Sequence, residues 1–341
     1  MPVEKFKPVI LVCGKSGAGK TSLIQAVTDS KTVPDSAIGT GLPVTKGINV
    51  YETDVATYID AEGMEPGQTV EGYRSFLQGE IVDRLANDNV DGVVTSVWYC
   101  IDGSGGRVQE ADKQIYSSFG HKTFVVVTKS DCFRNKNEFQ AIRQELGDIP
   151  DDRIVLASSV RETGLSCLIE RTRKAIALDT PQKALDAFRA SWDMYFGQRQ
   201  QRWIARCDEE ADSYIRWGAG RSFAIAAVAF LPVSDVIPLS LNEAYMIMRI
   251  GAAYGESVGD NVVGALAGVA SGSIGGKILA TLMPPIAKSA VAASVTYGLG
   301  KVAKSYFRSG KTLSKEKLRE EFLKAKKEGK KQKWEAINET A

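Results

Sequence analysis

The sequence predicts an α/β domain, with helices on both faces of a mostly parallel six-stranded sheet, followed by an all-α domain. Three observations carry this reading. From Lys5 to about Leu178, short β-branched runs alternate with helical patterns, the signature of parallel strands joined by crossover helices. Two of the runs lie too close together for a crossover, so one edge strand returns antiparallel. After Leu178 the runs cease and long helical patterns replace them. A chain of 341 residues suits two domains of about 100–200 residues each. With 25% charged and 44% apolar residues, it is neither disordered nor collagen-like.

The strand candidates, in order, are PVILVCG, INVYETD, ATYIDAEG, VDGVVTSVWYCID, KTFVVVTKSD and RIVLASS. INVYETD and ATYIDAEG form the hairpin. Thr180 and Pro181 read as N-cap and first position of a long helix reaching about Trp217, with Phe188, Trp192, Tyr195 and Trp203 available for packing. From Gly218 the chain becomes Gly/Ala-rich: residues 222–234 carry no charge, and 261–300 carry only Lys277 and Lys288. Ser240 to Glu243 fits a capping box opening a helix that ends near Gly255. The expected divisions are 5–178, 181–310 and a basic tail over 311–341. That basic character is local, because residues 301–341 hold 13 Lys/Arg against 6 Asp/Glu, a balance of +7, within a net charge of +2.

The five cysteines, Cys13, Cys100, Cys132, Cys167 and Cys207, show no CxxC spacing, so neither a disulfide framework nor a zinc site is expected. One histidine, His121, removes His-cluster metal sites and reads as a surface turn. The N-terminus lacks a secretory pattern, which makes a cytoplasmic location the expectation.

Gly14 to Thr21, GKSGAGKT, fits the phosphate-loop pattern and has its context, an apolar strand before and a helical pattern after. Backbone N–H groups of Gly14, Ser16, Gly17, Ala18 and Gly19 would wrap phosphates at the positive end of the following helix, which also offers Ser22. Lys20 would reach the β- and γ-phosphates, and the Thr21 hydroxyl would ligate Mg²⁺. Forty residues after Lys20, Asp60-Ala-Glu-Gly63 ends a strand and resembles the DxxG element of GTPases, which implies that Asp60 would act on Mg²⁺ through water and the Gly63 amide would sense a γ-phosphate. Thr128-Lys129-Ser130-Asp131 follows FVVV. A carboxylate at Asp131 can accept hydrogen bonds from N1 and the 2-amino group of guanine, a donor pair adenine lacks. Lys129 would lay its stem along the base. Ser158 and Ser159 end the last strand, a place that resembles the one where GTPases carry a loop whose backbone N–H meets guanine O6.

Four such elements in order, each at a strand end, resemble the translation-factor-related small GTPase superfamily, and within it the Era-like and immunity-related branches. GTGLPVTKGI, VVTSVWYCIDGSGGRV and the Gly/Ala-rich helices also look like bacterial GTPases with a C-terminal helical domain of unknown function. The resemblance implies GTP hydrolysis with Lys20, Thr45 and Gly63 as catalytic positions and Thr21, Thr45 and Asp60 around Mg²⁺. Thr40 is the alternative to Thr45. Thr32–Lys46 and Ala61–Gly79 would be the switch segments, ordered by the γ-phosphate.

Departures from the family pattern carry information. Ras-like enzymes place a water-orienting glutamine directly after DxxG; here the residue is Met64, so intrinsic hydrolysis should be slow unless Glu62, Glu65, Gln68 or a partner's group enters. Gly17 replaces the asparagine of potassium-activated relatives, and DAEG replaces the commoner DTPG, with no ready account of Glu62. A homodimer across the nucleotide face is the implied route to activation, with Arg74 and Arg107 in segments that could reach across it.

In the second domain, Gly264, Gly268, Gly272 and Gly276 recur every fourth residue, a stripe that would let helices approach closely. A spanning segment needs about 20 apolar residues, and 261–276 stops short at Lys277. A buried bundle, a bundle that opens onto a membrane and a spanning helix all remain open. Leu318, Phe322 and Ala325 would give the basic tail one apolar side, suited to an anionic membrane surface if released. Nucleic-acid binding is not indicated, since no RNA-binding motif accompanies the lysines.

Overall fold

The computed structural model describes residues 6–38, 47–87, 94–105, 107–120, 123–228, 236–269 and 285–334. The chain divides into two compact units: Met1–Arg134 with Gln140–Arg206, and Asn135–Phe139 with Cys207–Ala341.

All six expected strands form: β1 (Val9–Gly14), β2 (Ile48–Glu52), β3 (Thr57–Ala61), β4 (Val94–Asp102), β5 (Thr123–Thr128) and β6 (Ile154–Leu156). Their order is β2-β3-β1-β4-β5-β6. Only β2 and β3 pair antiparallel, from Ile48 opposite Ala61 to Glu52 opposite Thr57; every other pair is parallel. All six residues of β1 are buried, as a strand covered on both faces must be. The helices α1 (Lys20–Val27), α2 (Val70–Asn87), α3 (Glu110–Ser118), α4 (Lys136–Glu145) and α5 (Leu165–Asp179) connect or follow the strands. Every loop carrying a motif therefore leaves the carboxyl end of a parallel strand, where ligands of open α/β sheets bind.

The expected boundary at 178–181 moves. Helix α6 runs unbroken from Gln182 to Val228, 47 residues, and its part up to Arg206 belongs to the first unit. Leu185, Phe188, Trp192, Phe196 and Trp203 lie in one apolar cluster with Ile10, Tyr58, Trp98 and Leu168. Large aromatics bury about 150–250 Å² each, a gross stabilisation of about 4–6 kcal/mol apiece at 25 cal/mol/Å². That burial assigns the segment. Thr180 caps the end of α5, its hydroxyl donating to Ile176 O at 2.7 Å, and does not open α6.

The second unit contains the rest of α6 with α7 (Val236–Ala253), α8 (Asp260–Val269), α9 (Pro285–Arg308) and α10 (Lys315–Gly329). Helix α7 begins before the expected capping box, with Pro238 in its first turn, where a missing N–H costs little. Ser240 and Glu243 are thus interior, and Glu243 Oε1 accepts from Thr296 Oγ1 at 3.2 Å. The end near Gly255 holds, because Gly255 adopts φ +84° and Glu256 N–H closes onto Gly251 O at 2.9 Å.

Two expectations for this unit change. The basic tail is a docked helix: Leu318, Phe322 and Ala325 are buried, and a Cβ built on Gly298 of α9 would meet the Phe322 ring at 3.1 Å. In the described half of the glycine stripe Gly264 and Gly268 are exposed, and a Cβ there meets nothing within 4 Å among the described residues. Spacing by four places glycines on one face without saying which face packs, and on α8 Leu266 is the buried residue. Close approach occurs at Gly218 and Gly300, where an added Cβ would press Met246 Sδ at 2.6 Å and Ile215 at 2.7 Å. Gly272 and Gly276 lie outside the described residues. Among those described, no helix is long and apolar enough to cross a membrane.

Candidate functional site: a phosphate loop joined to a base-reading loop

The loop between β1 and α1 turns on Gly17 and Gly19, at φ +75° and +76°, values that favour glycine. Gly14 is needed for a different reason, since a Cβ there would stand 2.3 Å from Cys100 O. Lys20 is buried and curls back along the loop, donating to Lys15 O at 3.0 Å and Gly14 O at 3.4 Å. Its ammonium thus sits on the loop rim, where phosphate oxygens would replace carbonyls as partners.

Thr21 Oγ1 donates to Asp60 Oδ2 at 2.7 Å. The β1–β3 register places Asp60 beside Val12, so two parallel strand ends bring the pair together. A hydroxyl and a carboxylate are the hard oxygen donors magnesium takes, so Thr21 and Asp60 fit the metal. A magnesium ion held there would neutralise charge on phosphate oxygens. Thr45 and Thr40, the first-switch candidates, lie outside the described residues, as does His121.

The DAEG turn packs directly on the loop. A Cβ on Gly63 would fall 2.4 Å from Ser16 N and Cα, so no side chain is possible there without displacing the turn. Met64 N–H donates to Gly14 O, and Ser16 N–H to Met64 O, both at 3.2 Å. Glu62, unexplained from sequence, has a structural partner: its carboxylate accepts from Gly47 N–H at 2.6 Å, while its own N–H donates to Gly47 O at 2.7 Å. Met64, Glu65 and Gln68 line a cleft of about 730 Å³ with Lys15, Ser16 and Gln109. The second half of the expected second switch is helical, as α2. Arg74 pairs with Glu71 on that helix at 3.4 Å, and Arg107 is exposed.

The TKSD segment is tied to the phosphate loop by two side chains. Thr128 Oγ1, buried, lies 2.7 Å from Ala18 O and 3.1 Å from Ile101 O. Lys129, at φ 52°, donates to Gly17 O at 2.9 Å and to Asp102 Oδ2 at 2.6 Å. Burial pushes the Asp102 carboxyl up, but hydrogen bonds from Lys129 and Ser104 outweigh it and hold the group below the ordinary carboxylate range. Asp131 is half-buried at the start of the following turn. Ser130 N–H donates to Ala157 O at 3.1 Å, which brings in the Ser158–Ser159 loop. The Ser158 amide donates to Thr163 O and its hydroxyl accepts from Arg161 N–H, so Ser158 builds the turn. Ser159, half-exposed, shares a cleft of about 560 Å³ with Ser22, Gln25, Asp29 and Arg199.

Some supporting groups escaped the sequence. Asp112, buried on α3, accepts from Lys15 Nζ at 2.7 Å, from Tyr99 Oη at 2.8 Å and from Gln109 N–H at 2.8 Å; the Gln109–Asp112 capping box was its one local signal. Arg199 on α6 donates to Thr28 O and Asp29 Oδ2, at 3.0 and 3.2 Å, and stacks 4.4 Å from the Tyr195 ring centroid. Cys13 and Cys100 are buried thiols, Cys100 pushed up to about 12 chiefly by that burial, hence inert packing groups.

The sheet order, a phosphate loop at a strand end, a DxxG turn packed against it and a TKxD element bonded to it define a small P-loop GTPase domain. No family model matches the chain. It is 28% identical over 173 residues to the probable GTP-binding protein EngB of Alkaliphilus metalliredigens (strain QYMF), covering 48% of this chain and 80% of that one. Among solved structures, a probable GTP-binding protein engB gives 19% identity, TM-score 0.36, and coverage of 49% of this chain and 98% of that one. Era in complex with MgGDPNP and a segment of 16S ribosomal RNA gives 18%, TM-score 0.35, and coverage of 51% and 57%.

Proposed function

We propose that the protein binds GTP, hydrolyses it slowly to GDP and phosphate, and relays nucleotide state to its helical unit, which engages a membrane or protein partner. The observation that carries the nucleotide reading is the bonding of Thr128 and Lys129 to Ala18 O and Gly17 O. It supports a reading in which Asp131 takes the guanine base of the same nucleotide whose phosphates the loop holds. Loop amides and Lys20 hold the phosphates, and Thr21 and Asp60 hold Mg²⁺. Met64 offers no group that can orient water, which supports a slow intrinsic rate raised by dimerisation or a partner, with Glu65 and Gln68 beside it in the cleft as the side chains of this protein that could substitute. Arg199 supports the relay, because it holds Thr28 and Asp29 ahead of the first switch from a helix that continues into the second unit. We place this activity in the cytoplasm.

The same Met64 supports a second reading, a nucleotide-binding interaction module without turnover. GDP and ADP titrations, with single-turnover GTP hydrolysis at several protein concentrations, separate the two. A rate rising with concentration supports the dimer-activated enzyme; tight GDP binding with no measurable rate supports the module. Equal GDP and ADP affinity would sink the guanine assignment. Lys20→Ala should weaken GDP binding about 100-fold, the scale of one to two hydrogen bonds to charged groups.

A further inference from the structure

A peptide group is planar and trans, so holding its carbonyl oxygen fixes the direction of its N–H. The Glu62–Gly63 peptide is held in this way. Tyr73, from α2, accepts from Gly14 N–H at 3.3 Å, and its hydroxyl has Glu62 O at 2.9 Å as the nearer acceptor and Gly14 O at 3.2 Å as the farther. The Tyr73 side chain is buried, 1% exposed, and its ring stacks on Phe76 with centroids 6.1 Å apart. Burial pushes the phenol above its ordinary range, so the hydroxyl remains a donor at any physiological pH.

The flanking groups are fixed as well. On the N-terminal side, Glu62 clasps Gly47 through its carboxylate and its N–H, continuing the β2–β3 ladder by one pair beyond Ile48 and Ala61. Gly47 sits at φ +67°, directly after the expected first switch. On the C-terminal side, Met64 is bonded to Gly14 and Ser16. The turn packs closely on the loop at Gly63, where a built Cβ would fall 2.4 Å from Ser16 N and Cα.

We propose that Tyr73 and Glu62 are positioning residues for γ-phosphate recognition: Tyr73 aims the Gly63 amide, and Glu62 holds Gly47, the residue after the expected first switch, to the same turn. This rests on the GTP-binding reading above. The hydrogen bond into the Glu62 carbonyl also polarises the peptide, strengthening its N–H as a donor. GDP offers no γ-phosphate, so the pair acts chiefly on one nucleotide state. A merely structural role would weaken both states equally.

The test compares affinities for GDP and for a non-hydrolysable GTP analogue in the full chain, with melting curves as a folding control. Tyr73→Phe keeps the ring and removes the hydroxyl. It should lower analogue affinity about tenfold, roughly one net hydrogen bond, and GDP affinity by clearly less, since for GDP only the Gly14 N–H contact is lost. Glu62→Ala should show the same split, while Glu62→Gln, whose amide oxygen can still accept from Gly47, should behave like the parent. A parent-like ratio of the two affinities in either Tyr73→Phe or Glu62→Ala, or an equal loss for both nucleotides, overturns the proposal. A parent protein that binds neither nucleotide overturns the GTP reading itself, a distinct result.

Discussion

Both units bury polar groups, but to different ends. In the first, Lys20, Asp60, Thr128 and Asp112 are buried at the carboxyl edge of the sheet, and their bonds run to the phosphate loop or to residues that hold it. In the second, Asn242 donates to Gly218 O and to Ser222 Oγ at 2.8 and 2.9 Å, and Thr296 reaches Ser222 Oγ at 2.8 Å. These bonds join α6, α7 and α9 to one another. One arrangement prepares partners for a ligand, whereas the other fixes which helix faces meet in a Gly/Ala-rich bundle whose small side chains specify little by shape. Buried polarity marks a site only where its partners converge on an accessible loop.

The largest expected effect tests the first half of that contrast. Asp131→Asn should shift preference from guanine to xanthine nucleotides, by up to about 10⁴-fold where a polar recognition group is mismatched; competition between GDP and XDP measures it. An unchanged preference would mean that the convergence around TKSD reads no base. Next, Trp203→Ala should destabilise the first unit by about 3–5 kcal/mol, seen in denaturant unfolding and slowed by GDP. A loss confined to the second unit would move the boundary back toward 181.

Two smaller effects sharpen the other half. Thr296→Val removes a buried donor and leaves Ser222 short of a partner, which should cost about 1–3 kcal/mol without altering GDP affinity. A change in affinity would break the contrast between the two networks. Gly264→Ala, at an exposed position, should stabilise α8 by about 0.5–1 kcal/mol. A destabilised protein would show that the stripe packs after all.

Legibility followed from how local each constraint is. The phosphate loop, DAEG and TKSD could be read because each is a short run at a strand end, and the six strands themselves announced their positions by composition. Tyr73 and Asp112 could not be read. They act on the phosphate loop across 59 and 97 residues of sequence, and nothing beside Tyr73 marks it. Thr128 was visible as part of a base-reading motif, but its hydroxyl serves the loop, a role set by the approach of Ala18. Phe188, Trp192 and Trp203 were recognised as core residues, yet their helical pattern could not say which core. Glycine spacing on α8 failed for a related reason, since periodicity names a face and leaves its neighbour undefined.

The placement of residues 182–206 also bears on how such a chain could be cut or recombined. A fragment ending at Leu178 would carry every nucleotide motif and still leave Ile10, Tyr58 and Trp98 without the five apolar side chains of α6 that complete their cluster. It would be expected to aggregate, while a fragment ending at Arg206 would stay in solution. By the same reasoning, a genetic exchange that grafted a different helical partner onto this GTPase would succeed only with a crossover inside α6, so the unit that can be inherited separately is longer than the unit its motifs delimit.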